Sequence, residues 1–120
     1  MNFSRLISYL LHSRTQAHVF HLQTPSFAAH KALNDYYDGI VDIVDGLVES
    51  YQGKYGIITD YTNFTLQQYS SCEGIQEYFR ALNNTIETLR QDTPDSYIQN
   101  QIDNAVELIN STLYKLKFLK

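Results

Sequence analysis

Apolar residues recur every three or four positions along nearly the whole chain, and that period breaks at only three places. Two of the breaks are brief. Gln23-Thr24-Pro25 and Asp92-Thr93-Pro94 each place a side-chain oxygen and then a proline where one helix stops and another starts. The third break covers residues 53–70 (GKYGIITDYTNFTLQQYS), which hold turn residues and no helical period. With five Gly and two Pro in 120 residues, breakers are scarce enough to leave the intervening runs long. A chain punctuated in this way is expected to be all-α, with four helices in one domain spanning residues 1–120.

The first helix is expected from about Ser4 to Leu22, with Phe3, Leu6, Leu10, Ala17 and His21 on one face. The second should use Thr24 as N-cap and Pro25 as first residue and end near Tyr51, before Gly53, with a stripe of Leu33, Tyr37, Ile40, Val44, Leu47 and Tyr51. Ser71 can cap a third helix and Asp92-Thr93-Pro94 can open a fourth. Gly39 and Gly46 lie inside the second helix, where each costs about 1 kcal/mol relative to Ala. Close approach of another helix, from this chain or a second subunit, would offset that.

The connections therefore run short, long, short. Short links join antiparallel neighbours, whereas a long one can carry the chain back along the bundle. The second helix would span roughly 40 Å at 1.5 Å per residue. The middle segment, extended at up to ~3.3 Å per residue, reaches that far. The expectation is a four-helix bundle with a long crossover between its second and third helices; an up-and-down bundle with an ornate loop is the alternative.

A net charge of −4 and a pI near 5.4 argue against tight nonspecific nucleic-acid binding. The basic KLKFLK at residues 115–120 reads as a cationic helix end matched to the helix dipole. Cys72 is alone, so no internal disulfide can form. The opening MNFSRLISYLLHSR has no basic region before its apolar patch and no cleavage site, and reads as the first helix; a cytoplasmic protein with no membrane association is expected. The N-x-T triplets at Asn63, Asn83 and Asn110 then carry no meaning.

Metal-binding side chains fall in two groups. His18 and His30 lie on the flanks of the first two helices, His12 points toward solvent, and His21 is expected in the core. Asp38, Asp42, Asp45 and Glu49 stack along one side of the second helix, which by itself describes a solvated acidic face. His30 and Asp45 are fifteen residues apart, roughly 22 Å along a helix, so one chain cannot bring them to one ion. Two copies packed antiparallel about a twofold axis can, and symmetry then makes two identical sites.

His18, His30, Asp45 and Glu49 stand at spacings of 0, 12, 27 and 31 residues. This resembles the ferroxidase signature of Dps-type mini-ferritins, in the ferritin-like superfamily. The likeness extends over the first two helices, including Pro25-Ser26-Phe27, Leu33, Tyr36 and Ile40, and the stretch from Leu11 to Ser50 also resembles small Dps-like proteins of tailed phages. The resemblance implies a ferritin-like bundle in which His18 and His30 of one subunit bind Fe(II) with Asp45 and Glu49 of its twofold partner. Peroxide or oxygen would oxidise the iron, and a twelve-subunit shell would store the ferric product. Two features depart from the pattern. Asn34 occupies the place of a carboxylate ligand four residues after the second His, and the Lys-rich N-terminal tail that holds DNA in some members has no counterpart, so DNA binding is not expected.

A second expectation belongs to another class: a ferritin-like helical oligomer that has kept the fold and serves as a structural or interaction protein, such as a phage virion or assembly component. Other chemistries lack their residues. No E-x-x-H pair supports a di-iron site inside one bundle, Cys72 and the histidines do not form a zinc spacing, and no phosphate-binding glycine motif or G-x-S-x-G is present.

Overall fold

The computed structural model describes residues 2–120. Four helices pack together: α1 (Asn2–Gln23), α2 (Phe27–Tyr55), α3 (Cys72–Leu89) and α4 (Ser96–Phe118), with no strand among the described residues. At ~1.5 Å per residue, the 29 residues of α2 account for the 43 Å length of the molecule.

Side-chain pairs fix how the helices run. Phe3 stacks on Tyr51 at one end of α1 and α2, and His21 stacks on His30 at the other, so the two are antiparallel. Lys115 pairs with Asp35 while Gln101 lies beside Gly46, so α4 runs antiparallel to α2. Cys72 reaches the Leu116 carbonyl and Arg90 grips Gln99, which makes α3 antiparallel to α4. The apolar faces of the four helices meet in one core, in which Leu6, Leu10, Leu33, Ile40, Leu47, Ile75, Phe79, Ile98 and Ile102 are fully buried, whereas Tyr37 and Tyr51 of the stripe expected for α2 are only half-buried. Tyr36 is buried in that core, its hydroxyl 2.7 Å from Ser13 Oγ, which in turn donates to the Leu10 carbonyl. Burial drives the Tyr36 phenol well above its ordinary pKa, so this polar chain stays neutral.

The helix ends depart from the expected ones for local reasons. Ser26, not Thr24, caps α2, its Oγ accepting the Ala29 N–H; Thr24 accepts the Ser26 N–H, and Pro25 sits in the turn. Gly53 does not stop α2. The helix ends at Gly56, whose φ of +97° suits glycine and whose N–H returns to Gln52. Asp95 caps α4 by position only: its carboxylate instead accepts Lys54 Nζ and the Tyr55 hydroxyl, which hold it below the usual carboxylate range. Gly39 and Gly46 face α4 of the same chain, with a Cβ at Gly39 falling 3.2 Å from Leu108.

The linker between α2 and α3 is tied to α1 residue by residue. Thr62 N–H donates to Ser8 Oγ, the Thr65 carbonyl accepts from His12, Gln67 exchanges two bonds with Gln16, and Tyr69 N–H donates to Gln23. These partners ascend together along both segments. Ser8 and Gln16, polar yet buried, are explained by this lining.

Candidate metal site

Antiparallel packing across the Gln23–Ser26 turn brings the last turns of α1 against the first turns of α2, and with them three histidines. The rings of His21 and His30 stack with centroids 3.6 Å apart. His21 Nδ1 donates to the His30 carbonyl at 2.7 Å, and His30 Nδ1 donates to the His21 carbonyl at 2.9 Å. A carbonyl only accepts, so in a neutral ring the proton sits on Nδ1 and Nε2 carries the lone pair available to a cation. The same carbonyl fixes the ring's orientation, as outer partners of metal-ligating histidines do. His18 is exposed; its ring lies on Tyr37 at 4.5 Å and 5.9 Å from His21. His21, Phe27, His30, Lys31, Asn34 and Asp35 line an open pocket of about 280 Å³ at this corner.

Asn34 lies on the same side of α2. Its Oδ1 accepts the Tyr37 hydroxyl at 2.7 Å and its Nδ2 donates to Asp38 at 3.2 Å. Farther along, Asp42, Asp45 and Glu49 are exposed, and within the described residues no hydrogen bond or ion pair engages any of them. Among the described residues no three His, Cys, Asp or Glu side chains of one chain converge closely enough to hold a metal ion. The structure thus brings His18 and His30 into one corner and leaves Asp45 and Glu49 on the open face of α2.

His12 differs from its expected place. It is half-buried rather than pointing to solvent, because the linker folds over it: Nε2 donates to the Thr65 carbonyl and Nδ1 lies 3.0 Å from the Tyr78 hydroxyl. Both nitrogens are committed, so His12 anchors the linker. His21, expected as a core residue, is buried and also holds His30; the contact that gives it this role joins two helices and has no local sequence signal. A larger pocket of about 430 Å³ lies at the far end, between Phe3, Tyr51, Tyr55 and Pro94, away from every histidine.

Residues 21–116 match the family of unknown function DUF5856, and the chain belongs to that family. No curated protein and no solved structure matches it.

Proposed function

For this member of the DUF5856 family we propose a Dps-like mini-ferritin, a ferritin-like four-helix bundle that binds and oxidises Fe(II) between subunits. The observation that carries the reading is the imidazole corner. His30 is held by the His21 carbonyl, its Nε2 without a hydrogen bond among the described residues, at the corner that also carries His18, while Asp45 and Glu49 stand unengaged roughly 22 and 28 Å along the same helix. Four side chains suited to Fe(II) are split into two halves that one chain cannot join. A twofold partner joins them twice. The ascending bonds between the linker and α1 support the long crossover that makes α2 and α3 parallel.

In this reading Fe(II) is the substrate. His18 and His30 of one subunit supply neutral nitrogen, and Asp45 and Glu49 of the partner supply the negative charge that favours Fe(III) over Fe(II). Two Fe(II) give one electron each to one peroxide, which takes up two protons to form two waters; with oxygen, four Fe(II) and four protons are needed for the same product. Peroxide leaves as water, and the ferric product hydrolyses and collects within a closed oligomer, a dodecamer in the Dps-type families. Removing free Fe(II) limits peroxide damage. Asn34 supplies no negative charge, so affinity is lower than in a site with a carboxylate there.

The test is complementation between chains. His30→Ala and Glu49→Ala are each expected to lose peroxide-dependent Fe(II) oxidation. Co-refolded in equal amounts, they should regain about one quarter of the wild-type sites, because half the dimers are mixed and each mixed dimer has one intact site. No recovery on mixing, or a wild-type chain that is strictly monomeric, defeats the inter-subunit site. Wild-type protein that oxidises iron no faster than buffer leaves the structural oligomer as the reading.

A further inference from the structure

We infer that Asn34 is a positioning residue: acting through Tyr37, it fixes the ring of His18 at the subunit surface and does not itself bind the metal. The inference rests on the iron reading above and assigns a role to the position where the Dps-type pattern has a carboxylate.

The contacts form one line from α2 to α1. Asp38 accepts from Asn34 Nδ2, Asn34 Oδ1 accepts the Tyr37 hydroxyl, and the Tyr37 ring lies against His18 with an interplanar angle of 25°. Tyr37 also meets His21 edge-on at 5.3 Å, so one half-buried ring touches both imidazoles of α1 at this corner. His18 is exposed and neither of its ring nitrogens has a hydrogen-bond partner among the described residues. The stack on Tyr37 and the contact with His21 are therefore what limit its rotamers; an unconstrained side chain would lose that freedom on binding a metal.

An amide suits this position better than a carboxylate. Asn34 accepts from Tyr37 and donates to Asp38, and an ionised carboxylate could only accept. An aspartate would accept from Tyr37 but place a like charge one turn from Asp38, which is destabilising at that spacing. The oxygen a cation would require from Asn34 is the one already bonded to the Tyr37 hydroxyl. Stacking leaves the edge of the His18 ring open, where its nitrogen lone pairs lie, so the clamp and metal binding are compatible.

Two variants separate a positioning role from a ligand role. Tyr37→Phe keeps the ring and frees the Asn34 oxygen; Asn34→Ala removes the clamp. Two readouts apply to the intact oligomer: the imidazole NMR resonances of His18 in metal-free protein, and affinity for Co(II) as a spectroscopic stand-in for Fe(II). Both variants are expected to shift the His18 resonances and to weaken Co(II) binding about ten- to a hundredfold, as loss of an outer partner does. Asp42→Asn should change neither readout. The inference is overturned if the His18 resonances stay in place in both variants, or if Tyr37→Phe binds Co(II) as well as or better than wild type, which would make Asn34 a ligand released from Tyr37. Wild-type protein that takes no Co(II) removes the iron reading, and the His18 resonances then decide the clamp alone.

Discussion

The first turns of α2 and its middle carry the two halves of the proposed site, and they are ordered to very different degrees. At the corner, His30 is held by a carbonyl, stacked on His21 and flanked by a network running through Asn34 and Tyr37 to His18. Along the middle, Asp45 and Glu49 extend into solvent without a partner among the described residues. The imidazoles are preorganised, whereas the carboxylates wait for whatever meets them. Packing imidazole rings against neighbours costs little and desolvating unpaired carboxylates costs much, so a folded chain can order the first and must leave the second wet until a cation arrives. In the proposed dimer, the partner subunit would contribute the order that the acidic half lacks.

The contrast breaks most sharply in metal affinity. His30→Ala and Glu49→Ala are each expected to weaken Fe(II) binding more than about a hundredfold, beyond the range for outer partners, in an anaerobic titration. If only the histidine variant does so, the acidic half is a solvated face. In stability the halves should differ in the other direction. His21→Ala removes a buried bond and a stack and is expected to lower unfolding free energy by about 1–3 kcal/mol in urea. Gly46→Ala, beside Asp45, should raise it by about 0.5–1 kcal/mol, since the new Cβ meets only ordinary contact with Gln101 at 3.7 Å. The same change at Gly39 should gain less, because Leu108 has to move.

The far end of α2 supplies a pH control. Lys54 first, and then Tyr55, hold the Asp95 carboxyl below its ordinary value of 3.8. The stability this contributes is complete above that value and is lost as pH falls through the lower folded one. Urea midpoints should therefore decline below about pH 4, and Asp95→Asn should flatten the decline. Least of all, Asp42→Ala should stay within about 0.5 kcal/mol of wild type.

Much of the molecule was readable from spacing. The helices and most of their buried faces follow from a 3.6-residue period, which is a property of each segment alone. Helix ends differ from the expected ones by two to four residues where more than one group could stop or cap the helix: Ser26, two residues past Thr24, takes the cap, and Gly56 rather than Gly53 ends α2 because only there does the backbone turn to positive φ. Ser8 and Gln16 are buried because the linker lies over them, a contact that no spacing along α1 shows. His12 was misplaced for the same reason.

By itself the sequence determined four amphipathic helices, a long middle link, and the impossibility of joining His30 to Asp45 within one helix, since these depend only on local period and rise per residue. The tertiary structure decided which nitrogen of His30 is free, that His21 and not a distant group orients it, and that the Tyr37 ring lies against His18. Those depend on contacts between α1 and α2, where a difference of an ångström separates a hydrogen bond from none, and no spacing along one helix encodes the approach of another.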